Sequence, residues 1–173
     1  MPSVPTCRKF GARPPLAFAS SPRTLRRPTI EPIRLSFEVA CPAAHAFAVW
    51  TAKTSHWWPR SHTVSGEAVR DVIFEPRRGG RIFERSADGS EVDWGEITRW
   101  EPPHRLGYLW HIRSDRADAT DVEISFVDLG ETTRVEIEHR GWERLGERGN
   151  AWRDANFGGW SGVLPHFIAA CAD

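Results

Sequence analysis

Six strand-like runs follow one another between residues 69 and 139 with only a few residues between them, and this spacing removes most folds from consideration. They cover 69–75, 81–86, 92–100, 106–112, 121–127 and 133–139, and their separators are turn chemistry: Arg78-Gly79-Gly80, Asp88-Gly89, Pro102-Pro103 and Gly130. Parallel neighbours need a crossover of about a dozen residues or more, so consecutive runs this close pair antiparallel. A seventh strand precedes them. Ile33, Leu35, Phe37 and Val39 alternate with Arg34, Ser36 and Glu38, as in a half-buried strand.

Between that first strand and the other six the period changes. Pro42 suits the first turn of a helix, and Phe47, Trp50 and Thr51 follow at i, i+3 and i+4. Residues 53–59 read as a second short helix or turn ending in Trp57-Trp58-Pro59. The last element is a long helix with Asn150 as its N-cap. Its apolar stripe is Trp160, Val163, Leu164, Phe167, Ile168 and Cys171, and Pro165 within the stripe should bend it. The expected architecture is α+β: seven antiparallel strands in a curved sheet, wrapped around a long C-terminal helix, with two short helices after strand 1.

The 23 basic and 23 acidic residues of the 173-residue chain balance. Six of the basic ones (Arg8, Lys9, Arg13, Arg23, Arg26, Arg27) and no acid lie before Glu31, which leaves the body 17 against 23. A mildly acidic body lacks the clustered positive field that phosphate backbones require, so no nucleic-acid partner is expected. Residues 1–30 also hold six of the thirteen prolines. Arg-rich, acid-free composition is shared with organellar transit peptides, but those prolines oppose the amphipathic helix such peptides form. The tail is expected to be a disordered extension, genuine or the product of an early start codon, with residues 31–173 as the domain.

Cys7, Cys41 and Cys171 show no CxxC spacing, so neither a disulfide framework nor a zinc site is expected, and a reducing, cytoplasmic setting is the default. No stretch approaches the roughly 18 apolar residues of a membrane span. The seven histidines show neither HxH nor HExxH spacing, so no metal or other cofactor is expected. Gly79-Gly80 opens no helix and precedes no Lys-Ser/Thr, which makes it a hairpin and not a phosphate cradle.

The element order and a series of short motifs resemble the START-like (helix-grip, SRPBCC) superfamily, and within it the family named after the activator of the heat-shock-protein-90 ATPase. The motifs are Val49-Trp50-Thr51, Trp57-Trp58-Pro59, Gly79-Gly80-Arg81, Asp88-Gly89, Trp94-Gly95-Glu96-Ile97, Glu101-Pro102-Pro103 with Arg105-Leu106, Trp110, Thr133-Arg134-Val135, and Gly159-Trp160 through Leu164. In that order over about 140 residues they specify the fold; Pro165 departs from the polar residue usual there. The superfamily spans lipid carriers, hormone receptors, aromatic cyclases and many bacterial proteins without an assigned role, so fold alone does not assign function.

Nine Trp, nine Phe and one Tyr supply the material of a pocket. On the pleat, Trp94, Glu96, Thr98 and Trp100 share one face of their strand. If that face meets the terminal helix, Trp94, Tyr108, Trp110, Trp160 and Leu164, with Phe74 and Phe83 nearby, surround a concavity whose polar groups are Glu96 and His139. Any one of these rings is equally suited to core packing; the group as a whole, with the resemblance, implies an internal pocket for a small hydrophobic ligand, aromatic or lipid-like. Glu96 and His139 are the weak candidates for catalysis, and a mutually satisfied structural pair, or two outward-facing side chains, is the simpler reading of them. Three functions are therefore entertained. The first is a binding domain, monomeric or homodimeric. The second is a cyclase- or dehydratase-like enzyme using the same pocket. The third, implied by the family name, is a co-chaperone-like module with a chaperone ATPase as partner.

Overall fold

Alternation of Ile33, Leu35, Phe37 and Val39 with polar residues produces β1 (Ile33–Val39), whose ends are buried at Ile33 and Val39. The computed structural model describes residues 29–173; the expected tail lies outside the described residues except for its last two positions. Ile30, the last of them, packs partly buried against the core and so belongs with the body.

After β1 come α1 (Ala43–Thr51) and α2 (Thr54–Trp57). Pro42 stands at the N-cap of α1, its carbonyl accepting from the backbone N–H groups of His45 and Ala46. The remaining strands are β2 (Val69–Phe74), β3 (Arg81–Ser86), β4 (Glu91–Glu101), β5 (Arg105–Trp110), β6 (Thr120–Asp128) and β7 (Thr133–Arg140). They form one antiparallel sheet in the order β1-β7-β6-β5-β4-β3-β2. Consecutive strands from β2 to β7 are neighbours, as short turns require. Strand β1 lies at the far edge beside β7, and α1 and α2 carry the chain from that edge back to β2. The last element is α3 (Gly149–Ala170), which packs along the sheet.

One feature of α3 differs from expectation. The helix starts at Gly149 directly after a 3-10 segment, Trp142–Arg148, so Arg148 occupies the N-cap and Asn150 does not. It runs on through Pro165, which sits on the exposed side. Of the stripe, Trp160, Val163, Leu164, Phe167 and Cys171 are buried, while Ile168 is 39% exposed at its margin.

Aromatic rings fill the space between the middle of α3 and the sheet. Trp50 of α1 meets Phe167 at 4.7 Å between ring centres and Trp160 at 6.2 Å; Trp57 of α2 meets Phe167 at 5.3 Å. Trp58 continues the layer toward Trp94 (5.2 Å) and Trp110 (5.9 Å). Offset and edge-to-face pairs of this kind add to the area they bury. The outer face of the sheet is charged instead, with Arg81 bridging Glu91 and Asp93, and Glu138 held between Arg34 and Arg140. Such exposed pairs contribute little stability each, roughly 0–1 kcal/mol, but they keep that face hydrated.

Candidate functional site

The 60–68 loop is the first wall of the site, and a buried carboxylate holds it. Glu84 on β3 is completely buried, accepting from the backbone N–H groups of Val64 (2.8 Å) and Ser65 (2.7 Å), the Ser65 hydroxyl (2.5 Å) and the Trp94 indole (3.0 Å). A buried carboxylate persists only with this degree of satisfaction. It ties the loop, with its 3-10 turns Arg60–His62 and Gly66–Ala68, to the inner face of the sheet. Trp58, at the C-cap of α2, adds a hydrogen bond from its indole N–H to the His62 carbonyl at 3.3 Å.

The second wall is the end of β5 and the turn after it, with Trp110, Ile112 and Arg113. Arg113 has φ 59°, a conformation a non-glycine residue rarely adopts, and its guanidinium donates to the Thr63 carbonyl at 2.5 Å. The third wall is the N-terminal half of α3. Trp152, Asn156 and Trp160 lie at i, i+4 and i+8 on one face, with Gly158 and Gly159 beside them. A Cβ at either glycine would meet nothing within 4 Å, so neither position is in close contact with another part of the chain.

Together these walls enclose a cleft of about 410 Å³, lined by four indoles (Trp58, Trp110, Trp152, Trp160), by Ile112 and Val163, and by the polar side chains of Ser61, His62, Arg113 and Asn156. None of the lining residues is acidic. Ser61 Oγ lies 3.0 Å from His62 Nδ1. Burial, and then the charges of Arg113 and His166, push the His62 imidazole below the usual histidine range, so it is neutral at neutral pH. Mostly apolar walls with a few converging polar groups suit a small-molecule site.

The residues singled out from the sequence divide into several groups. Trp110 and Trp160 line the cleft. Phe74, Trp94, Tyr108 and Leu164 are buried in the packed core, with Phe74 against Tyr108 at 5.9 Å and Trp94 against Trp110 at 5.8 Å. Burial pushes the Tyr108 hydroxyl, next to the Trp50 indole, up beyond the usual phenol range. The expected cavity thus lies at the N-terminal end of α3 and not behind its centre, where α1 and α2 supply the filling rings.

Phe83 points away from the interior. It is covered on the outer face by the Arg81 guanidinium, 4.2 Å above its ring. Glu96 also faces outward, paired to Arg116 through both its Nε and Nη2. The reason is irregular register. Trp94 is unpaired against β3, and Thr98 is unpaired against β5, so inward positions run Trp94, Gly95, Ile97 in place of strict alternation. The backbone at Gly95 approaches the Leu109 carbonyl so closely that no side chain would fit.

His139 is inside, fully buried and fully satisfied. The Trp160 indole N–H donates to Nδ1 at 3.1 Å, which leaves the proton on Nε2, 2.7 Å from the Thr120 hydroxyl; that hydroxyl in turn donates to the Trp110 carbonyl at 3.3 Å. Burial depresses its pKa to about 3. It is one layer behind the cleft and holds Trp160 in place, and no ring nitrogen is free for substrate.

Trp58, Ser61, His62, Arg113, Trp152 and Asn156 were not anticipated as site residues. Extending the α3 stripe two turns toward the N-terminus would have found Trp152 and Asn156; nothing local marks Arg113 or His62. Among the described residues no group of three His, Cys, Asp or Glu side chains is placed to hold a metal ion, and no helix is long and apolar enough to cross a membrane.

Comparison with curated protein sequences finds no match. Among solved structures, an anthrahydroquino-gamma-pyrone synthase, Txn09, is 31% identical over 82% of this chain and 97% of its own, with a TM-score of 0.57. The self-sacrificing resistance protein CalC of Micromonospora echinospora is 24% identical over 81% of this chain and 93% of its own (TM-score 0.60), and a protein of Nitrosomonas europaea is 15% identical over 82% and 94% (TM-score 0.59); both show the shared fold. The family model described as activator of Hsp90 ATPase homolog 1-like protein matches residues 40–173, nearly the whole described body, and with the helix-grip architecture this makes the chain a member of that family.

Proposed function

We propose that the protein binds a flat, hydrophobic small molecule in the cleft at the N-terminal end of α3. The observation that carries this reading is the convergence of four indoles from three separate elements on one space of about 410 Å³. Trp152 packs against the edge of the core but stays only partly buried, and it lines the cleft. The volume suits a ligand of two or three fused rings, at the lower end of ordinary pocket sizes. Titrating the chain with polycyclic aromatic compounds should quench tryptophan fluorescence saturably, and Trp152→Ala should weaken that binding at least tenfold without lowering the melting temperature by more than a few degrees. If no compound quenches saturably, the binding reading fails.

A second reading is catalysis in the same cleft, a cyclisation, dehydration or isomerisation with His62 as proton acceptor. Its support is the neutral imidazole at the cleft wall, with Ser61 Oγ beside Nδ1, and the 31% identity to a protein named as a synthase. His62→Gln separates the two readings. A binder retains its affinity and has no turnover to lose, whereas an enzyme retains affinity and loses turnover.

A further inference from the structure

We infer that the ligand is a planar aromatic acid, its ionised oxygen set against the Arg113 guanidinium and its ring system against the cleft indoles. The inference rests on the cleft reading above and adds a charge to it.

Most arginines of the described residues have a carboxylate within 4 Å, as do Arg81, Arg85, Arg116, Arg144 and Arg148. Arg113 has none, although the body is acidic overall. Arg70, Arg78 and Arg105 share that lack, but of the four only Arg113 lines the cleft. Its one side-chain hydrogen bond uses a single N–H, to the Thr63 carbonyl. A guanidinium carries five N–H donors in a flat fork, so donors remain for a carboxylate or phenolate. No acidic side chain lines the cleft to compete for them.

Position strengthens the point. The left-handed backbone at Arg113 costs free energy for a residue with a Cβ, and the bond to Thr63 holds the guanidinium at the cleft rim. Arg113 is itself exposed, so water can reach the guanidinium, and what the cleft adds is the indoles beside it, against which the ring system of an anion paired to it can lie. His62 on the facing loop is neutral and offers no second formal charge. A cation at one end and rings along the walls describe a flat molecule that is anionic at one edge.

The test compares 2-naphthoate with 2-naphthamide, which match in shape and differ in charge, on the full chain at pH 7.5 by fluorescence quenching and calorimetry. The acid is expected to bind at least tenfold more tightly, with an advantage that shrinks as salt rises. Arg113→Gln is expected to abolish that advantage by weakening the acid alone. Equal affinities of acid and amide on the unaltered chain would overturn the inference while leaving the cleft reading intact. Equal loss of both ligands in Arg113→Gln would overturn it too. If neither compound binds saturably, both the inference and the reading beneath it fall.

Discussion

The Trp160 indole N–H donates to Nδ1 of His139 across the interface between α3 and β7, at 3.1 Å, with both residues buried. One bond thereby fixes the histidine tautomer, seats the wall residue of the cleft and joins the terminal helix to the sheet. Trp160→Ala should cost roughly 3–5 kcal/mol, as large aromatic truncations do. Trp160→Phe keeps most of the bulk but leaves a buried acceptor unpaired, for roughly 1–3 kcal/mol. Urea unfolding of the two variants checks this; a wild-type midpoint in both would show that α3 is held elsewhere.

His139 also sets a pH dependence. Its folded pKa is depressed to about 3, below the unfolded value near 6.5. Between those values the unfolded state binds the proton and the folded state does not. Stability is therefore full above about pH 6.5 and falls as the pH drops toward 3, at up to roughly 1.4 kcal/mol per pH unit from this group. His139→Asn should show a shallower loss over pH 6.5–4 in denaturant titrations. Parallel slopes would remove His139 as the cause.

Glu84 predicts a coupling between stability and the cleft. Its truncation to Ala strips the Val64 and Ser65 N–H groups and the Trp94 indole of their acceptor. The cost is expected at about 2–4 kcal/mol. Because the same bonds hold the loop bearing His62, affinity for a cleft ligand should fall in Glu84→Ala even at temperatures where the variant remains folded. Circular dichroism and ligand titration on one sample read both effects.

Gly162 separates the two quantities instead. A Cβ there would come within 2.6 Å of His62 Nε2, the end of a movable side chain on the cleft wall. Gly162→Ala should change stability by less than about 1 kcal/mol, since helix propensity gains what the displaced ring loses. Ligand affinity, by contrast, should shift several-fold, as calorimetry would show.

Cys41 and Cys171 are neighbours in space, buried at the end of β1 and the C-cap of α3, and burial raises both thiols above the usual range. In a Cys7→Ser background neither should react with a disulfide reagent at pH 8 while the protein is folded, and both should react on unfolding. Rapid labelling of the native state would show that the C-terminal end of α3 opens.

Strand count, antiparallel order and the terminal helix could be read from the residues alone, because alternation and turn chemistry are local properties. The 33–39 and 81–86 runs match β1 and β3 to the residue, and the other strands differ by one or two positions at their ends. The facing of Glu96 could not be read, since unpaired residues at Trp94 and Thr98 break a period that sequence presents as regular. Nor could the cleft's position. Trp50, Trp57 and Trp58 lie far from Trp160 in the chain, and only packing shows that their rings fill the centre and leave space at one end. His62 and Arg113 meet there because Glu84 and the Thr63 carbonyl bring two loops together, a long-range arrangement of hydrogen bonds that no local pattern encodes.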